Sequence, residues 1–477
     1  MLDGKITFGL IVSTRGCFNF EMAVEGKRQL VSRLATLGHG HIVLADDATP
    51  TGCVEGRPDG VKCAELFGKN RDKIDGVIIV LPNFGDEMGV MAALDGARLD
   101  VPILLQASDD RLDRLGTRER RDSFCGKLSI ANNLWQYGYA FTDTASHTVD
   151  IDSDAFAADI GRFAAICRTY RGLRRARIGQ IGVRPGCFQT VRISEKLLQA
   201  SGLTVVPADL SEILGTVSRL DDGAAEVKNA RERLAEYGNV CPEASGAQLL
   251  RQAKLTAAIE KWIAENEVDA VAMQCWDSIE QNYGCAACAT MSMLSDRLIP
   301  AACEADVGGA VAMYALSLAA GNASALLDWN NNYGDAADKC VCTHCGNNAR
   351  SFIYGANPAG KPEISYLDVL STTLGKDNCF GAVKGKVKAG DMTFFRVSSD
   401  DRSGCMRAYL GQGAFTDDPF AMSGCIAVCE VPELRKFMGH IVKNGFEHHV
   451  AMVRGHIADI VEEAAGNYLG WDLYRHS

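Results

Sequence analysis

The chain is predicted to be an α/β protein: two Rossmann-like, doubly wound domains followed by a β-rich domain, either a barrel or a sandwich. Three observations predict it. Strand-like and helix-like patterns alternate through the first part of the chain, the alternation restarts after a basic run near residue 170, and short β pieces take over after about residue 355. A chain of 477 residues is too long for one ordinary core. The expected domains are 1–170, 171–354 and 355–477.

In order along the chain, "KITFGLIVS" reads as a buried strand and "NFEMAVEGKRQLVSRLATLG" as a helix ending at Gly38. "HIVLA", "GVIIVLPNFG" and "VPILLQA" are further strands, the second running into a loop. This β-α-β rhythm implies a parallel sheet covered by helices. After "RTYRGLRRARIG" the rhythm resumes with the strand "RIGQIGV", a helix from Val191 to Ala200 and the strand "LTVVPADL". A long charged helical region then precedes "DAVAMQCW". No GxGxxG lies between a strand and a helix, so no dinucleotide site is indicated. Gly308 to Leu327 carries no charge, but it is broken at Gly321-Asn322 and bounded by Asp306 and Asp328. It reads as a buried helix, a turn and a short strand rather than a membrane span. The last domain shows "FGAVKGKVKAGDMTFFRVSSDD", "CMRAYLGQGAF" and "GCIAVCEV" between Gly and Asp turns. It closes with the helix "VPELRKFMGHIVKNG" and the segment "FEHHVAMVRGH".

Hydrophobic residues make up 47% and charged residues 23% of the chain, which describes a globular protein. A net charge of −11 argues against nucleic acid or an anionic membrane as partner and disfavours long-range attraction of anions, while a local basic pocket remains compatible with it. The apolar run Ile6 to Val12 is too short to span a membrane and lacks a signal-cleavage pattern. A cytoplasmic protein is expected, with its 18 cysteines reduced.

Acids and histidines collect at three strand-to-loop junctions: Glu304 and Asp306 in "IPAACEADVGGA", Asp328 and His344 in "LLDWNNNYGDAADKCVCTHCGN", and the adjacent His448 and His449. Carboxylates with imidazole suit a hard or borderline divalent cation that keeps positions open for substrate oxygens. Singly, Glu304 reads equally well as an acid at a helix start and Asp328 as a loop aspartate. The rival is a thiolate zinc or iron–sulfur site from Cys285 and Cys288 with Cys340, Cys342 and Cys345. Those groups lie 52 positions apart (288 to 340) and the second is CxCxxC, which is not a zinc ribbon.

Together "ACEADVGGA", "DWNN", "HCGN", "AGDMTFFRVSSDD", "YLGQGAFTDDPF" and "NGFEHHVA" resemble, in order, the motifs of the L-fucose isomerase / L-arabinose isomerase superfamily, in particular its fucose-isomerase-like branch. "STRGCFN" and the domain layout extend the resemblance over essentially the whole chain. It implies a metal-dependent interconversion of an aldose and a ketose through an enediol, with Mn²⁺ or another divalent cation. The implied ligands are Glu304, Asp328 and one of His448 and His449; His344 resembles an additional ligand of the arabinose isomerases. Glu304 and Asp328 are also the acid/base candidates, their order open. Arg15, Gln274, Trp276 and Asn444 are candidates for binding the sugar. A homo-oligomer is implied, a hexamer with sites between subunits. The chain is shorter than fucose isomerase, which leaves a pentose, a deoxyhexose or a modified sugar as substrate. The other expectations are a non-catalytic sugar-binding protein on the same architecture and the cysteine-ligated metalloprotein.

Overall fold

The computed structural model of the chain describes residues 5–354 and 360–477. The expected start of the last domain, residues 355–359, and the first four residues of the N-terminal stretch lie outside them. The chain divides into two compact units: Met1–Arg171 with Glu463–Gly470, and Gly172–Glu462 with Trp471–Ser477.

The first unit holds a five-stranded parallel sheet in the order Gly40–Ile42, Thr7–Val12, Gly76–Leu81, Ile103–Ala107, Thr142–Asp143. The strands are apolar runs because both faces are covered. Period-two alternation sorts them: Phe8, Leu10, Ile78 and Val80 pack with the helices Glu21–Thr36 and Asp154–Arg174. Ile11, Val77, Ile79 and Leu81 face Gly56–Lys69 and Glu87–Ala97 on the other side. The late segment completes this sheet's far side. Tyr468 Oη donates to the Ile103 carbonyl at 3.0 Å and Thr142 Oγ1 donates to Glu463 Oε2 at 2.7 Å.

The second unit contains a four-stranded parallel sheet, Ala301–Ala302, Ala270–Met273, Arg177–Ile181, Thr204–Ala208. Its longest helix, Gly246–Glu265, starts on a capping box between Ser245 and Gln248. The uncharged stretch is the helix Val307–Ala320, capped by Asp306 and ended by Gly321 at φ 67°. It packs against both the parallel sheet and the β region, so it is apolar all round. The strand that follows, Ser324–Asn332, has nine residues and is not short. Among the described residues no helix is long and apolar enough to cross a membrane.

The β region closes. Ser324–Asn332, Lys339–His344, Cys425–Glu430, Cys405–Thr416, Gly390–Asp400 and His449–Arg454 pair antiparallel in that order, and the last pairs with the first. Of the two expected forms this is the barrel, and closure leaves these strands without free edges. Two of its strands precede residue 355. Phe394, Tyr409 and Phe437 are fully buried in its core.

Candidate active site

The site forms where the parallel sheet of the second unit meets the barrel. The turn after Ala301–Ala302 presents Glu304. Glu304 and Ala305 both take left-handed backbone, φ 59° and 54°. That conformation costs a non-glycine residue about 1–3 kcal/mol and tends to be kept where a side chain must be aimed. Backbone bonds Ala305 N–H to Met273 O and Asp306 N–H to Cys303 O, each 3.0 Å, hold the turn. Barrel register supplies the rest: Asp328 stands directly across from His449 on one side and Thr343 on the other, next to His344.

His449 Nε2 lies 2.9 Å from Glu304 Oε2 and 3.5 Å from Asp328 Oδ1. His344 Nε2 is 3.9 Å from Glu304 Oε2, and His448 Nε2 is 3.8 Å from Asp328 Oδ1. Glu304 Oε2, Asp328 Oδ1 and His344 Nε2 are buried without a hydrogen-bond partner; the 2.9 Å approach of His449 to Glu304 is close but not aligned as a hydrogen bond. Buried polar atoms are nearly always paired, so three orphans around one imidazole nitrogen mark a place built for something else. Glu304, His344 and His449, and Asp328, His448 and His449, form two groups with ligand atoms close enough for one ion.

Strand geometry separates the paired histidines. His449 begins a strand and is buried, whereas the His448 side chain is 44% exposed. Asp328 is 25% exposed, so the site is open on the side of Asp328 and His448.

Behind His449 stands a network that sequence reading missed. Its Nδ1 meets Asp306 Oδ2 at 2.8 Å. Asp306 in turn takes both terminal nitrogens of Arg396, whose Nε donates to Glu447 Oε2 at 3.2 Å. Ser398 Oγ donates to the other Glu447 oxygen at 2.7 Å. Burial opposes charge on Asp306, but the Arg396 guanidinium and His449 hold its carboxyl well below the usual range. Burial likewise pulls the His449 imidazole down, and Asp306 and Glu304 outweigh it, raising it to about 10. Glu304 is pushed up by burial and brought below its ordinary value by His449 and His344. The cluster is a cage that favours positive charge. The signals available were Asp306 at a helix start, Arg396 as a charge inside apolar β sequence, and Glu447 just ahead of the histidine pair.

Other candidates sit as follows. Gln274 uses its amide within the protein: Oε1 accepts the Val183 N–H at 3.0 Å, and Nε2 donates to Ser278 Oγ at 3.1 Å. Trp276 Nε1 is buried without a partner. Asn444, exposed, ends the helix Leu434–Asn444 and donates to the His440 carbonyl at 2.9 Å. Arg15, in the first unit, donates to Gly85 O at 2.8 Å, pairs with Glu87 and stacks on Phe84. Among the described residues Cys285, Cys288, Cys340, Cys342 and Cys345 do not gather into a metal-holding group. Cys340 and Cys342 belong to the barrel core, and Cys285 and Cys288 to the core over the parallel sheet, where Cys288 starts a helix that Cys285 precedes.

Residues 9–174 match the model of the fucose/sulfoquinovose isomerase N-terminal domain, and residues 342–476 that of the L-fucose isomerase C-terminal domain. The chain belongs to the fucose-isomerase-like superfamily. This isomerase is 26% identical over 401 residues to sulfoquinovose isomerase of Alkalicoccus urumqiensis, covering 82% of this chain and 83% of that protein. It is 26% identical over 392 residues to that of Priestia megaterium, covering 81% and 82%. Both assign it to the aldose–ketose isomerases.

Proposed function

We propose that the protein interconverts a sulfonated hexose and its ketose, using a divalent cation of manganese type held by Glu304, Asp328 and His449. The observation that carries the cation is the set of partnerless oxygens, Glu304 Oε2 and Asp328 Oδ1, around His449 Nε2. The donor set, two carboxylates and an imidazole with an open side, fits such an ion.

The histidine tautomers support this choice of ligand. His449 Nδ1 faces a carboxylate and so keeps its proton, and a cation taking the place of the Nε2 proton would meet that nitrogen's lone pair, as in carboxylate–histidine–metal triads. His344 Nδ1 instead accepts the Cys345 N–H at 2.9 Å, which puts the ring proton on Nε2. That ring suits a hydrogen bond to a sugar oxygen better than a metal bond. His448, half exposed at the mouth, is lowered by burial and by the neighbouring His449.

A bound cation supplies Lewis-acid polarisation of the sugar C1 and C2 oxygens. Glu304 and Asp328 move the proton between C2 and C1: one carboxylate takes it, an enediol forms, and a proton is returned to the neighbouring carbon. Glu304 is buried and oriented by its strained turn. The partnerless Trp276 N–H suits a sugar hydroxyl.

The relatives named above supply the substrate class, and a homo-oligomer, a hexamer as the family implies, completes the proposal. An exposed apolar stripe on the helix Ser123–Gln136, Phe124, Leu128 and Trp135, supports association with a second copy. The test is an assay of sulfoquinovose, deoxyhexoses and pentoses after chelation and again with added Mn²⁺. Activity that needs the cation is expected; turnover that survives complete chelation overturns the metal reading, and failure on sulfoquinovose overturns the substrate.

A further inference from the structure

The loop after the strand Arg177–Ile181 carries charge that the carboxylate–imidazole cluster does not use. Arg184 and Arg192 line a cavity of about 460 Å³ together with Gln180, Gln189, Glu195 and Ala305. Ala305 lies between Glu304 and Asp306 in the chain. A Cβ placed on Gly308 would stand 3.2 Å from Ile193 Cδ1, in the wall of this cavity, and 3.3 Å from Arg396 Nη2, behind His449. Cavity and cluster are therefore neighbours at the carboxyl ends of the parallel strands, where open α/β sheets bind ligands.

The loop is pinned in place. Gln274 Oε1 accepts the Val183 N–H, and Phe188 meets Trp276 edge-on with ring centroids 5.6 Å apart. Gly182, at φ 75°, is where the chain turns out of the strand, and a Cβ there would collide with the Gln274 amide. The guanidiniums are held only by loop carbonyls: Arg184 Nη1 points to Phe188 O at 3.5 Å and Arg192 Nε donates to Gln189 O at 2.9 Å. Among the described residues neither is paired with a carboxylate, although Glu195 shares the wall.

Two unpaired guanidiniums with amides beside a cavity describe the complement of an ionised group with several acceptor oxygens and no donor. A sulfonate is such a group, and arginine, which only donates, matches it. We propose that Arg184 and Arg192 bind the sulfonate end of the sugar and so make the isomerase selective for an anionic substrate. This rests on the reading of the substrate as a sulfonated hexose, and it reconciles such a substrate with a chain of net charge −11.

The test compares sulfoquinovose with quinovose, its uncharged 6-deoxy counterpart, on the Mn²⁺-loaded enzyme and on Arg184→Ala, Arg192→Ala and the double variant. Each substitution is expected to lower kcat/KM for sulfoquinovose by about 10–100-fold, mainly through KM, since a hydrogen bond to a charged group is lost. Turnover of quinovose should stay near the wild-type value. Equal losses on both sugars, or unchanged sulfoquinovose kinetics, overturn the assignment. Ethanesulfonate, titrated by NMR, separates this site from the substrate reading. If the wild type turns over neither sugar, the substrate reading falls, and ethanesulfonate binding that the double variant loses still sustains the anion site. Absence of such binding, or its persistence in the double variant, then overturns the anion site too.

Discussion

The end of the first parallel sheet and the junction of the second with the barrel treat their polar groups oppositely. At the end of the first sheet Ser13 Oγ accepts the Asp86 N–H at 2.8 Å, Asn83 donates to Thr14 Oγ1 at 2.8 Å, and Arg15 donates to Gly85 O. Folding satisfies those groups internally. Where the second sheet meets the barrel, Glu304 Oε2, from the turn after Ala301–Ala302, and Asp328 Oδ1 and His344 Nε2, from two barrel strands, are buried and unpaired. Burying a polar atom without a partner costs free energy, so a protein retains such atoms where a ligand will pair them. Hydrogen bonding thus tells a self-satisfied sheet end from the proposed reaction site.

The largest effect that tests this contrast is removal of a carboxylate. Glu304→Gln and Asp328→Asn should each lower kcat/KM by about 10²–10⁴-fold, with circular dichroism and Tm near wild type. Near-normal turnover in either variant removes that residue from the mechanism. Next comes the support behind the site. Arg396→Leu leaves Asp306 and Glu447 buried without their cation and should cost about 3–5 kcal/mol in denaturant unfolding; a loss below 1 kcal/mol would mean that these acids are solvated. A smaller effect separates the two histidines. Asp306→Asn should weaken Mn²⁺ binding about 10–100-fold by calorimetry, because His449 loses the partner that fixes its tautomer. His344→Gln should leave that affinity unchanged, and a comparable loss would make His344 a ligand. The smallest signal asks whether the first sheet contributes at all. Mixed oligomers of Arg15→Ala and Glu304→Gln subunits should regain part of the activity that each lacks, if Arg15 reaches the site of a neighbouring copy. No recovery in verified mixed oligomers leaves Arg15 a structural residue.

How much could be read beforehand follows from the range of each interaction. The β-α-β sheets and the helix Val307–Ala320 were legible because periodicity and caps are local. Glu304, Asp328 and the histidine pair could be picked out as motifs, but Asp328, expected at a strand-to-loop junction, lies in the middle of the strand Ser324–Asn332, because barrel pairing carries that strand past it. Which histidine turns inward was not, because it depends on the register that sets His449 opposite Asp328. The Asp306–Arg396–Glu447 network was out of reach: its members are 90 and 51 positions apart and meet only when the barrel closes. The cysteine spacing misled for the converse reason. Cys340 and Cys342 alternate along one strand into the core, so closeness in sequence reflects a strand face and not a ligand set.

The return of Glu463–Gly470 to the first unit has a consequence for biosynthesis. The edge strand Thr142–Asp143 and the neighbouring Ile103 are complete on paper by residue 171, yet their last partners, Glu463 and Tyr468, leave the ribosome roughly 290 residues later. At about 5–20 residues per second this is a delay of about 15–60 s. Through that interval this end of the nascent sheet lacks the side-chain partners that hold it, and an unheld short edge strand is open to wrong pairing. Folding helpers that shield the growing chain during synthesis should therefore raise the yield of soluble enzyme more than the same helpers supplied only after synthesis is finished.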